Sequence, residues 1–146
     1  MDKKNIKENN IQFFIHKIYL KDISFESPYA SDIFFNENIK PKTDIQINSN
    51  FSKIKENVYE TVLKITITAK FQNKILFLIE VHQAGIFKIS NINKEEKKHL
   101  LEVYCPSILF PYAKELIVIK IIKGGFPEIH IPPINFEALY QKKINS

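Results

Sequence analysis

Apolar and polar residues alternate over much of the first ninety positions. In "DIQINSNF", 44–51, Ile45, Ile47 and Phe51 share one parity, and Asp44, Gln46, Asn48 and Asn50 share the other. "VYETVLKITITAKF", 58–71, repeats the pattern, with Tyr59, Leu63, Ile65, Ile67 and Phe71 set against Glu60, Lys64, Thr66, Thr68 and Lys70. A period of two is that of a strand with one dry and one wet face. "FFIHKIYLKDISFE", 13–26, is rich in Phe, Ile and Tyr and predicts a long strand ahead of these two. Between it and the second strand, "SPYASDIFFNENIKPK" is a loop marked by Pro28 and Pro41, with Tyr29, Phe34 and Phe35 giving it a high aromatic content. "QN" at 72–73 is a tight turn, and "KILFLIEVHQAGIFKIS", 74–90, returns as a fourth strand.

The fourth strand departs from the pattern. Ile75, Phe77, Ile79 and Val81 form the expected core parity, but Leu76 and Leu78 share the opposite parity with Glu80 and His82. Either a second layer covers the two leucines, or they belong to a surface that meets a partner.

After residue 90 the period changes. Asn93 followed by Glu96 has the form of a helix N-cap, and "KEEKKHLLEVY" reads as a short helix. Pro106 suits the first turn of a second helix, where its missing N–H is not needed. "LIVIKII" has strand propensity as well, but the length of 106–123 and the "KGGFP" stop favour a helix ending at Gly124 or Gly125, with a local kink at Pro111. "EIHIPPINF" is extended, and Asn135 caps a last helix in "FEALYQKK". Four consecutive antiparallel strands followed by helices make an α+β layered domain. The expected boundaries are a flexible N-terminal tail over 1–12, one domain over 13–141 and a short C-terminal tail over 142–146.

Composition narrows the function. The 146 residues, 45% apolar and 25% charged, suit one globular domain. The opening "MDKKNIKENN" lacks the apolar stretch of a signal peptide, and one cysteine makes no internal disulfide, so a reduced, cytoplasmic setting with no membrane insertion is expected. The net charge of +5 invites a nucleic-acid reading, but all 21 basic residues are lysine and they form no block. Without arginine, specific base or phosphate recognition is poorly supplied, and no nucleic-acid partner is expected.

Candidate chemistry is sparse. The single thiol, Cys105 in "YCPSILFPYAKE", lies in no nucleophile signature, although a place near a helix N-terminus would lower its pKa somewhat. A small apolar packing role is the simpler reading. Three glycines form no phosphate-binding loop, and no His/Cys cluster has zinc spacing. His82 and His130 read as strand-surface or core histidines, and Glu95 and Glu96 as acids suited to a helix start. No catalytic constellation, cofactor or metal is expected.

The stretches "YLKDISFESP", "VYETVLKITITA", "FLIEVHQAGIF", "YCPSILFPYAKE" and "FPEIHIPPINFEALY" resemble, in order and spacing, the SecB protein-export chaperones, from about Phe13 to Tyr140. That resemblance implies a four-stranded antiparallel sheet followed by a long helix and a short C-terminal helix. It also implies an ATP-independent holdase, a homotetramer built as a dimer of dimers, that binds unfolded precursor proteins and passes them to the SecA motor of the Sec translocase. The positions matching the family's SecA-docking face are Asp22, Glu26, Leu78 and Glu80. Those matching positions that affect tetramer assembly are Ile79, Val81 and Gln83. For the client groove the resemblance points to Phe34, Phe35 and Ile39 in the loop, with Phe77 and Phe87 from the fourth strand, for which core packing is an equal reading. Three departures stand out: the family is typically acidic, the sequence ends at "YQKKINS" where many members continue into an acidic extension that also meets SecA, and Ile39 stands where tryptophan is common. Weaker SecA docking and softer client contacts are the expectations. The competing readings are a basic nucleic-acid-binding domain, an enzyme using Cys105, and a non-catalytic interaction module.

Overall fold

The computed structural model describes residues 10–36 and 38–146. Four strands, β1 (Gln12–Glu26), β2 (Lys42–Lys55), β3 (Val58–Phe71) and β4 (Lys74–Ser90), form one antiparallel sheet in the order β1-β4-β3-β2. β2, β3 and β4 follow one another as hairpins. At the β3–β4 turn, Gln72 and Asn73 both take positive φ, 49° and 66°, as a two-residue hairpin requires. The tail expectation for residues 1–9 lies outside the described residues, and the sheet begins one residue ahead of the expected domain start, at Gln12.

The alternation read from β3 and β4 is the burial pattern over most of both strands, but not at Ile75, expected in the core but half-buried opposite exposed Lys70. Leu63, Ile65, Ile67, Ile79, Val81, Phe87 and Ile89 are fully buried; most residues between them are half-exposed, although Gln83, Ala84 and Gly85 form a continuous buried run and Lys88 is exposed. The buried face is covered by α3 (Cys105–Lys123), which packs on β3 and β4. Apart from Pro106, its buried residues Cys105, Leu109, Ala113, Ile117 and Ile121 recur every four positions, a single stripe along the helix. The C-terminal helix α4 (Phe136–Ile144) packs beside the segment that precedes α3, and Asn135 Oδ1 accepts the Ala138 N–H at 2.9 Å as its cap. This helix runs through residues 142–144, which the expected boundary had placed in a tail.

Three expectations are corrected. The loop between β1 and β2 holds one helical turn, α1 (Ala30–Ile33). The break expected at Pro106 is absent: α2 (Lys94–His99), with the Asn93 cap in place at 2.8 Å to Glu96 N–H, passes through a π-helical turn at Leu100–Tyr104 straight into α3. Proline lacks the N–H that an α-helix would use there, and the wider π turn carries the chain past it without a stop. Finally, Leu76 is not on a wet face. Residue pairing shifts between Ala69/Phe77 and Lys70/Ile75, so Leu76 is the extra residue of a bulge, 1% exposed. It lines a cavity of about 130 Å³ with Tyr29, Ile33, Ile39 and Phe71, under the β1–β2 loop.

Candidate functional site

The four positions matched to the docking face come together on the side of the sheet away from α3. Residue pairing sets Asp22 opposite His82, Ser24 opposite Glu80 and Glu26 opposite Leu78. Residues directly opposite on antiparallel strands have adjacent side chains on one face. Asp22 and Glu26 are exposed, and Leu78 and Glu80 are half-buried. Of the two anomalous leucines, only Leu78 therefore belongs to this face.

Parity predicts this grouping only because two irregularities cancel. Phe13 and Ile15 pair with Ile89 and Phe87, Ile18 and Leu20 with Gly85 and Gln83, and Asp22 with His82. One extra residue between Ile15 and Lys17 and another between Leu20 and Asp22 each shift the pairing by one, so even positions of β1 again meet even positions of β4.

The face is wired by side-chain contacts. Glu80 Oε2 lies 3.1 Å from His82 Nε2, while Glu80 Oε1 lies 3.4 Å from both Thr66 Oγ1 and Lys64 Nζ. The His82 contact, with Lys64 adding to it, holds the Glu80 carboxyl below the usual carboxylate range despite some opposing desolvation. Further along, the Tyr19 hydroxyl donates to Glu60 Oε2 and Lys21 Nζ donates to Glu60 Oε1 at 2.9 Å. Partial burial and the neighbouring Glu60 push the Tyr19 hydroxyl up to about 12, and its bond holds Glu60 below the usual range.

Ile79, Val81 and Gln83 point the other way, into the protomer, at 0%, 0% and 3% exposure. Gln83 Nε2 donates to the Tyr19 carbonyl at 3.0 Å, and its Oε1 has no hydrogen-bond partner among the described residues.

The client-groove candidates divide. Phe77 and Phe87 are core residues, 1% and 0% exposed, so neither offers a surface in the protomer; core packing is the reading that holds for both. Phe77 is nevertheless the base of an aromatic ladder. It packs against Phe25 at 6.0 Å and Phe126 at 4.9 Å between ring centroids, and Phe126 packs against Phe34 at 5.3 Å. Phe34 is half-exposed and Phe35 is 90% exposed, whereas Ile39 is half-buried against the loop cavity. Gly125 permits the ladder: its φ is +89°, and a Cβ there would stand 2.8 Å from the Phe34 ring.

Two features escaped the sequence reading. Phe126, which the sequence marks only as part of a helix stop, joins Phe34 to Phe77 in the aromatic ladder. A cleft of about 390 Å³ lies between the start of β1 and α2, lined by Ile11, Phe13, Ile92, Leu100 and Tyr104 with Glu96 and His99. Ile11, within the expected tail, lies just ahead of β1 and lines this cleft together with Phe13, whose parity it shares.

Cys105 is fully buried beneath β3 within a continuous helical run, not at a free helix start. Burial pushes its thiol up to about 12, and the nearby Thr61 hydroxyl offsets little of this; that hydroxyl itself has no partner of hydrogen-bond geometry. A thiolate is thus disfavoured where a nucleophile would need one.

One apolar helix backs the sheet, acids stand on its open face and aromatic residues cluster at one end, surfaces of the kind suited to engaging other chains. The family profile of SecB, preprotein translocase subunit SecB, matches residues 6–146. The protein-export protein SecB of Nitrosococcus oceani is 47% identical over 133 residues, 90% of this chain and 81% of that protein. The SecB of Buchnera aphidicola subsp. Acyrthosiphon pisum is 44% identical over 138 residues, 94% of this chain and 96% of its own. Among solved structures, the Mycobacterium tuberculosis SecB-like chaperone in complex with a ChAD peptide from the HigA1 antitoxin aligns at a TM-score of 0.67 and 11% identity, over 84% of this chain and 91% of that chain, a likeness of fold. The chain belongs to the SecB family of protein-export chaperones.

Proposed function

We propose that this protein holds unfolded precursor proteins in the cytoplasm without ATP and delivers them to SecA, working as a homotetramer. The observation that carries the reading is the family match along residues 6–146, with relatives named for protein export. None of the described helices is long and apolar enough to cross a membrane.

The geometry supports a division of labour. Asp22, Glu26, Leu78 and Glu80 form the surface offered to SecA: three carboxylates around one apolar side chain suit a basic, partly apolar partner. Phe34, on the Phe126–Phe77 base, and exposed Phe35 offer apolar area to extended chains, and the cleft at Ile11, Phe13 and Tyr104 offers more. Apolar burial is non-directional, so such surfaces accept many sequences. Ile39 belongs to this region as support for the loop rather than as open surface.

Assembly is supported by apolar surface left over in the protomer. β1 is an edge strand carrying exposed Phe14, Ile15 and Leu20, and α3 exposes Tyr112, Ile119 and Ile122 on the side opposite its buried stripe. Ile79, Val81 and Gln83 act on assembly indirectly, by setting how α3 lies on the sheet.

The test is a refolding assay. A slow-folding precursor is diluted from denaturant into buffer with this protein and no ATP, at low and moderate salt. Arrest of folding at both salts is expected, because apolar contacts carry the binding. Arrest at low salt alone would make the protein a polycation that adheres to chains, and would overturn the proposal.

A further inference from the structure

We propose that Asp22, Glu80 and His82 form a binding site for one divalent transition-metal ion of the zinc class on the open face of the sheet. Zinc spacing along the sequence could not reveal it, because the ligands come from two strands and meet only through the pairing of Asp22 with His82. One ligand atom from each residue lies within 4.8 Å of the other two. His82 Nε2 and Glu80 Oε2 are 3.1 Å apart, close to the ~3.3 Å edge of a tetrahedron with bonds of about 2.0 Å. Asp22 is exposed, so its carboxylate is free to swing onto the third vertex, and the fourth is left to water. One imidazole with two carboxylates selects zinc-like ions over calcium or magnesium, which need a fuller set of oxygens.

The surroundings already orient the ligands. Thr66 and Lys64 engage Glu80 Oε1 and leave Oε2 facing His82. Lys64 also opposes the ion, since its ammonium shares the carboxylate the metal would use. A bound ion would cancel the charge of two carboxylates of the face proposed above for SecA. The site is tested on the chain alone, so its failure leaves the docking proposal standing, and the reverse also holds.

The experiment is titration of chelator-treated full-length protein with cobalt(II) chloride, followed by visible absorption, and with zinc chloride, followed by calorimetry. One ion per protomer and an intense visible cobalt band are expected. His82→Gln should weaken binding by at least about tenfold and remove the band. Asp22→Asn should weaken it less, and His99→Gln, on α2 beside Glu137, should leave it unchanged. Lys64→Met should tighten binding by up to about tenfold at low salt, a gain that misfolding does not produce. The proposal is overturned if no saturable binding is seen, if His82→Gln binds like the wild type, if His99→Gln loses as much, or if Lys64→Met gains nothing.

Discussion

Cys105 touches the sheet through the same stripe as Leu109, Ala113, Ile117 and Ile121, and its chemistry follows from that position. Protonated and enclosed, it should resist a thiol reagent at neutral pH in the native protein and react at once in denaturant. Rapid native reaction would place it in an open environment. Its folded pKa, about 12, lies above its ordinary value of 9.0. The stability it contributes is therefore whole below about pH 9 and is lost as pH rises through about 12. Tyr19, raised from 10.0 to about 12, acts in the same direction. Denaturation midpoints should fall with pH in this alkaline window, and Cys105→Ala should make the fall shallower without removing it. An unchanged slope would mean that the thiol titrates alike in both states. Little of this was legible beforehand: Pro106 suggested a helix start and a lowered pKa, whereas the π turn at Leu100–Tyr104 removes the free N-terminus on which that rested.

At the scale of elements, α3 has two apolar sides, one buried against the sheet and one exposed, the latter proposed above for assembly. Ile117 is fully buried against the sheet, so Ile117→Ala should destabilise the protomer by about 2–5 kcal/mol. Ile122 is 52% exposed, and Ile122→Asp should change protomer stability by about 0.5 kcal/mol or less. The same substitution should shift the assembly to smaller species by light scattering. A native-sized assembly with Ile122→Asp would mean that this side of α3 meets no second copy. The strands were readable because a half-buried sheet imposes a period of two, and β3 and β4 begin and end where the sequence alternation does. Their irregularities were not readable. The bulge at Leu76 and the paired slips in β1 depend on cross-strand packing, which no local pattern records. The positions proposed for SecA docking fall together on parity because the β1 slips cancel, while Leu76 reads as a surface residue because its bulge has no such partner.

Across the whole molecule, the acids of the open face and the aromatic ladder at Phe34 draw on different surfaces of one sheet. Asp22, Glu26 and Glu80 stay clustered in a chain whose net charge is +5, so the patch is a local reversal of the protein's charge. The family match places the chain among the protein-export chaperones, and the structure corrects the resemblance at two positions: Phe77 and Phe87 are buried and offer no surface to a chain in the protomer. The most direct measurement of this division is made on one variant, Asp22→Lys with Glu80→Lys, by following SecA binding and arrest of precursor refolding in parallel. SecA binding should fall by at least about tenfold, the usual scale for reversing close charges at an interface, while refolding arrest stays at the wild-type level. Loss of both activities together, or unchanged SecA binding, would contradict the assignment of separate surfaces to the two partners.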